Sequence, residues 1–190
     1  MGSRYGGLKQ MDGFGPHEES LLEYSVYDAI RAGFDKVVFV IREYFADEFK
    51  SRIGNRIAQS VEVVYVYQEA DTLLPQIYAP LLSERQKPRG TAHAVLVAKD
   101  IITTPFAVIN ADDFYGAHAY QQIATFLSSP HPERIALVGY TLRNTISPFG
   151  SVNRGVCATH NGVLDHIVER LKIKKNDQGV LEDETGITFT

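Results

Sequence analysis

Apolar positions between Glu19 and Phe34 fall at Leu21, Leu22, Tyr24, Val26, Tyr27, Ile30 and Phe34. Spacings of three and four dominate, which predicts an amphipathic helix, capped by Ser20 or the polar residues before it and stopped by Gly33. The period then changes. "KVVFVI" (36–41) is a short unbroken apolar run rich in β-branched residues, the pattern of a strand buried on both faces. "REYFADEFKSRIGNRI" (42–57) returns to helical spacing, and "VEVVYVY" (61–67) predicts a second strand. A helical stretch around Leu73 to Leu82, the turn region "SERQKPRG" and a helix over Thr91–Lys99 follow. "FAVINADD" (106–113) is a third apolar run, ending in two carboxylates, "HAYQQIATFLSS" a helix, and "RIALVGYTL" (134–142) a fourth strand. Helix and strand alternate with crossovers of useful length, so the pattern predicts an α/β fold: a Rossmann-like, mostly parallel sheet with helices on both faces.

After Leu142 the texture shifts to short extended segments around "HNG", and Asn161-Gly162 is a hairpin signal. The chain closes on "GVLEDETGITFT", a loop and the start of another strand. No repeat, low-complexity tract or linker divides it, and 190 residues are enough for one packed domain. A doubly wound sheet begins with a strand that feeds a glycine-rich loop. Here the loop, "MGSRYGGLKQMDGFG", comes first. The expectation is therefore a single domain over residues 1–190, incomplete at both ends, with its first strand missing.

Composition narrows the function. Apolar residues make up 44% and charged residues 22%, ordinary for a globular protein. A net charge of -4 offers no basic footprint for nucleic acid, so any anion site is local. No apolar run reaches the roughly 18 residues of a membrane helix. The single Cys157 and the polar, glycine-rich start fit a reducing, cytoplasmic setting.

Four places carry candidate chemistry. In the opening loop, Gly2, Gly6 and Gly7 let backbone N–H groups approach an anion, Arg4 can fork onto phosphate oxygens, and Lys9 adds a mobile charge. The plainer reading is a solvated loop with turn glycines. In "VINADDFYG", Asp112 and Asp113 lie at the carboxyl end of an apolar run, where ligands of open α/β sheets bind; one suits Mg²⁺ and the other a helix cap or a supporting role. In "PRGTAHAV", Gly90 permits close approach of a flat ligand and Thr91 can cap the helix, while His93 is expected to be packed or solvent-facing without chemistry. In the last third, Gly150 lies in a turn, and Glu169 beside Arg170 ends an apolar strand, either as an exposed strand end or as a grip on a phosphorylated, polyhydroxylated ligand.

Together these stretches resemble the sugar-phosphate nucleotidyltransferase family, the enzymes that make nucleotide sugars. "MGSRYGGLKQ" is similar to its G-x-G-[ST]-R-…-K loop, with Gly2, Ser3, Arg4 and Lys9 in matching positions. The first glycine is lacking, the Arg4–Lys9 spacing is short, and Leu8 replaces the usual proline. "RGTAHAV" resembles the segment that lies against the base, giving Gly90 and Thr91, and Gln68 resembles the glutamine that reads the base edge. "NADDFYG" puts Asp112 in the metal-ligand position. "FGSV" resembles the stretch lining the sugar pocket, giving Gly150. "IVERL" stands where the family has I-x-E-K-P, giving Glu169 for sugar hydroxyls and Arg170 for the sugar phosphate, with Leu171 in place of proline. The resemblance implies transfer of a nucleotidyl group from a nucleoside triphosphate to a sugar 1-phosphate, UTP–glucose-1-phosphate-like, with Mg²⁺ as cofactor and pyrophosphate as by-product. The family's second metal-binding aspartate would lie beyond residue 190. Two alternatives stand beside this: a cytidylyltransferase for choline phosphate or another phosphorylated alcohol, and a non-catalytic nucleotide-binding regulatory domain.

Overall fold

The computed structural model describes residues 13–75, 90–130 and 135–189. These fall into two compact units, Met1–Ala136 and Leu137–Thr190.

The first unit opens on helix α1 (Leu21–Arg31). Ser20 is its N-cap, and a full capping box forms: the Ser20 hydroxyl accepts from the Glu23 N–H while the Glu23 carboxylate accepts from the Ser20 N–H. Arg56 pairs with the same carboxylate at 2.8 Å. At the other end the Phe34 N–H bonds to the Ala29 carbonyl and the Gly33 N–H to that of Ile30. This Schellman closure puts residue 33 at φ +103°, which is why glycine ends the helix.

Strand β1 (Lys36–Ile41) follows, then a composite crossover and strand β2 (Glu62–Tyr67). The crossover starts as a 3-10 turn, passes through helix α2 (Ala46–Phe49) and a π-turn (Lys50–Gly54), and ends in helix α3 (Asn55–Ile57). A Cβ at Gly54 would stand against the Tyr65 hydroxyl, so any larger residue there would have to displace that ring. The strands pair in parallel, Lys36 opposite Glu62 through Ile41 opposite Tyr67. The core gathers Leu22 and Val26 of α1, Phe39 of β1, and Phe49, Ile53 and Ile57 of the crossover. Phe39 meets Phe49 edge-on at 5.0 Å. Helices α4 (Thr91–Val97) and α5 (Ala117–Leu127) complete the unit.

Three sequence expectations need correction. The runs 106–113 and 135–142 form no strand ladder among the described residues, and Phe106 and Val108 are exposed. An apolar β-branched run specifies side chains suited to a strand; the strand itself exists only where a neighbour takes its backbone hydrogen bonds. For the same reason β1 and β2, each with one ladder neighbour among the described residues, are half-buried, with Phe39 alone buried, so the run 36–41 is not covered on both faces as expected. Residues 73–75 are not helical: Leu73 has φ +60°, which no helix admits, and the rest of that expected helix lies outside the described residues.

The second unit is an antiparallel sheet in the order β3 (Val152–His160), β4 (Val163–Lys175), β5 (Leu181–Glu182) and β6 (Thr188–Phe189). The Asn161-Gly162 turn has φ of +50° and +76°, the left-handed pair that a two-residue hairpin needs, as expected from the sequence. Its lower corner is organised by Asp183, whose side chain is 2% exposed. One carboxylate oxygen accepts from the Thr185 hydroxyl (2.7 Å) and from the N–H groups of Thr185 (2.9 Å) and Ile187 (3.1 Å); the other meets Arg170 Nη1 at 3.4 Å. Among the described residues, no helix of either unit is long and apolar enough to cross a membrane.

Ile53 is 1% exposed in the core. Ile53→Ala is expected to destabilise the first unit by about 2–5 kcal/mol, read as a lower urea midpoint at an unchanged denaturant slope. The Thr185 hydroxyl bond, then the backbone N–H groups and Arg170, hold the Asp183 carboxyl below its ordinary value. Because the folded value is the lower one, its stabilisation is present above about pH 3.9 and lost as pH falls through the lower folded value. The amide resonances of Thr185 and Ile187 should therefore hold their positions through the ordinary carboxylate range and move only below it, and Asp183→Asn should abolish that step.

Candidate active site

Gln68 lies one residue past β2, and its N–H donates to the Ile41 carbonyl at 2.9 Å, carrying the parallel ladder one step beyond the strands. The backbone of Gln68 is thus fixed at the carboxyl edge of the sheet. Arg42 and Glu69 clamp the same edge: Arg42 Nε and Nη2 donate to Glu69 Oε2 at 3.2 and 3.0 Å, and the Glu43 N–H donates to Glu69 Oε1 at 2.9 Å. The chain then turns back, with the Thr72 hydroxyl accepting from the Glu69 N–H at 2.9 Å.

Gly90 is the N-cap of α4 and Thr91 its first residue, exposed, so the capping role expected of Thr91 falls to the Gly90 backbone. The Gly90 carbonyl accepts from the N–H groups of His93 and Ala94, at 3.1 and 3.3 Å. It also receives Gln68 Nε2 at 3.4 Å. Nothing among the described residues lies within 4 Å of where a Gly90 Cβ would stand. Gln68 and Gly90 therefore meet, with Thr91 next in the chain, although the segment between Gln68 and Gly90 runs through residues outside the described set.

His93, expected to be without chemistry, is the side chain that joins them. Its Nδ1 is 2.9 Å from Gln68 Nε2 and its Nε2 is 2.8 Å from the Thr72 carbonyl. Sequence spacing hinted at this only in that His93 sits one turn into the helix opened by Gly90; nothing in the sequence marks Thr72.

Asp112 is exposed at the end of the 106–111 segment and makes no hydrogen bond or ion pair with the described residues. Asp113 does not cap the next helix, whose N-cap is Gly116. It accepts instead from Asn110 Nδ2 (2.8 Å) and from the Tyr115 hydroxyl (3.5 Å), while the Tyr115 oxygen accepts from the Asn110 N–H (2.9 Å). Burial pushes the Tyr115 phenol up, and the Asp113 carboxylate adds to that, so Tyr115 stays a proton donor in this turn. The turn is held by Asp113, leaving Asp112 as the outward carboxylate. One carboxylate completed by water and substrate phosphate oxygens suits Mg²⁺. No cluster of three or more His, Cys, Asp or Glu among the described residues could form an all-protein cage.

In the second unit, Gly150 is exposed in a turn with φ +152°, a conformation that favours glycine. Glu169 and Arg170 do not end a strand. They lie in the middle of β4, opposite Gly155 and Arg154. Adjacent strand residues face opposite ways, so the two cannot grip one group side by side. Arg170 turns to Asp183, while Arg154, directly across, donates to the carbonyl of Thr145 at 2.6 Å; this separates the two guanidinium groups. Glu169 is exposed, facing a glycine. Gly2, Ser3, Arg4 and Lys9 lie outside the described residues.

No curated protein sequence matches the chain. A family model does, that of the nucleotidyl transferases, and it spans residues 8–177, reaching into both units and covering every candidate stretch from Lys9 to Arg170. With that coverage, an α/β first unit and a strand-end glutamine joined to a helix-opening glycine, this protein belongs to the nucleotidyl transferase family, enzymes of the nucleotide-diphospho-sugar transferase fold.

Proposed function

We propose that the protein joins a nucleoside triphosphate and a sugar 1-phosphate, giving a nucleotide sugar and pyrophosphate, in the manner of UTP–glucose-1-phosphate transfer. The observation that carries this reading is the meeting of Gln68 with Gly90 at the carboxyl edge of the parallel pair, with no described residue within 4 Å of where a Gly90 Cβ would stand. Open α/β sheets bind ligands at that edge. In this reading Gln68 would meet a base edge and Gly90 would give a side-chain-free approach to its face, with Thr91 next to it in the chain. In the same reading both units serve one domain over residues 1–190, with the family match running across both as its support.

The reaction needs positioning and charge neutralisation more than a covalent nucleophile. A sugar phosphate oxygen attacks the α-phosphorus as pyrophosphate leaves. Negative charge then grows on the departing group, where Arg4 and Lys9 of the opening loop would stabilise it, with Gly2 and Ser3 supplying backbone N–H groups. Asp112 would hold Mg²⁺, which would supply neutralisation of phosphate charge. Glu169 would accept from sugar hydroxyls beside Gly150. Arg170, already paired with Asp183, would reach the sugar phosphate only on exchanging that partner. The single cysteine favours a cytoplasmic enzyme.

A pyrophosphate-release screen over nucleoside triphosphates and phosphorylated acceptors tests this directly. Turnover confined to phosphocholine-like alcohols would move the protein to the cytidylyltransferase alternative, and nucleotide binding without release would make it a regulatory domain. Asp112→Asn is expected to lower metal-dependent release by about 10²–10³-fold, with the circular dichroism spectrum unchanged; near-normal activity would remove Asp112 from the metal. Arg4→Ala is expected to lower kcat by about 10²-fold with little change in KM for the sugar phosphate. The reverse pattern would take Arg4 out of the triphosphate site.

A further inference from the structure

Strand β4 does not keep step with β3. Val152 stands opposite Ile173 and Arg154 opposite Arg170, so Asn153 alone faces the two residues Leu171 and Lys172. That is a β-bulge, and Lys172 within it has φ +53°. A residue with a Cβ enters this left-handed region only at a cost, so its surroundings must hold it there. The bulge is pinned from both sides within the second unit. The Lys172 N–H, which the extra residue leaves without a strand partner, donates to Asn153 Oδ1 at 2.9 Å. The Leu171 carbonyl accepts from the Glu184 N–H at 3.1 Å, and the Lys172 ammonium pairs with the Glu184 carboxylate at 2.7 Å. The pinning residue is itself fixed, because Arg154 donates to the Asn153 carbonyl at 2.8 Å and to the Thr145 carbonyl at 2.6 Å.

The bulge decides which way the side chains before it face. Val152 and Arg154 are two apart on β3 and share a face, so their partners Ile173 and Arg170 share it too, although they are three apart on β4. Ile173 is fully buried, and Arg170 reaches the buried Asp183 on that side, so this is the inner face of the corner. Glu169 therefore lies on the opposite face, where it is exposed. Without the extra residue, and with Ile173 kept in place, strict alternation would exchange the two. Glu169 would turn in beside the Asp183 carboxylate, and Arg170 would turn out.

We infer that Asn153 is a positioning residue for the sugar phosphate: by holding the Lys172 N–H it keeps the β4 bulge, and the bulge keeps Glu169 on the outer face with Arg170 inward on Asp183. This rests on the reading of Glu169 as the residue that meets the sugar. Asn153 does not itself touch substrate. It determines whether the outer face of β4 presents a carboxylate, which accepts from hydroxyl groups, or a guanidinium, which only donates. The first suits a polyhydroxylated ligand and the second an anion, so one side-chain amide on β3 fixes which chemistry β4 offers.

The test is pyrophosphate release from UTP and glucose 1-phosphate, with nuclear magnetic resonance spectra of the same proteins. It compares the unaltered chain with Asn153→Ala, Asn153→Asp, Glu169→Ala and the double variant Asn153→Ala with Lys172→Gly. Asn153→Ala should raise KM for glucose 1-phosphate about tenfold, the scale of one hydrogen bond, and leave KM for UTP unchanged. Its spectra should lose the cross-strand contact between Arg154 and Arg170 while keeping that between Val152 and Ile173. Asn153→Asp, which keeps the acceptor oxygen, should restore both readouts. So should the double variant, because glycine takes the left-handed conformation without a pin; a general loss of packing would not be rescued by removing a further side chain. An Asn153→Ala protein that keeps the Arg154–Arg170 contact, or a KM that rises equally for both substrates, overturns the positioning role and leaves the sugar-binding role of Glu169 standing. An unchanged KM for glucose 1-phosphate in Glu169→Ala, or no release by the unaltered protein, overturns both.

Discussion

The parallel register of β1 against β2 is the constraint from which the first unit takes its form. A parallel pair cannot be closed by a tight turn; it needs a crossover that carries the chain back to the same end. Here the crossover is the segment of α2, the π-turn and α3, and it brings Phe49, Ile53 and Ile57 down onto Phe39. The same register ends both strands at one edge, where the Gln68 N–H adds a further rung on Ile41 and the Arg42–Glu69 pair fastens the two exits. Slipping β2 by one residue against β1 would turn Gln68 away from Gly90 and carry Val63 and Tyr65 off the core around Phe39 together. Core and candidate site are two readouts of one alignment.

Under the proposed function, phosphoryl-group chemistry asks for two kinds of residue, and the protein would supply them in different ways. Groups that discriminate have to be rigid, and Gln68 is held through a strand rung, a histidine and two backbone carbonyls. Groups that follow charge need access to water and metal, and Asp112 is exposed at the edge of a turn that its neighbour Asp113 secures. Adjacent carboxylates thus divide into one that shapes the turn and one that faces outward.

Local features were legible in the sequence wherever one short stretch contains its own physics. The bounds of β1, the ends of α1 with Ser20 and Gly33, and the Asn161-Gly162 hairpin follow from side-chain period, capping chemistry and positive φ. Features that depend on a distant partner were not. Residues 106–113 have the composition of a strand without a ladder neighbour, and nothing near Leu73 in sequence announces its left-handed turn. Glu169 and Arg170 look like a strand end because apolar residues stop there, yet β4 continues through them to Lys175, extended by pairing with Leu181. His93 is the sharpest case. Its contacts are with Thr72 and Gln68, both more than twenty positions away in the chain, and a lone histidine on a helix gives no sign of either.

The Asn161-Gly162 turn has a consequence for the order of assembly. The first rung of the β3–β4 hairpin closes a loop of a few residues, whereas the first β1–β2 rung must close the whole crossover, and loop-closure entropy rises by about 0.6 kcal/mol for each doubling of length. Contacts between near neighbours also form faster than contacts between distant ones. A growing chain releases its N-terminal part first. In this protein the part that leaves the ribosome earlier is the one with the costlier first rung, so the order of synthesis gives the slower pairing a head start over the hairpin.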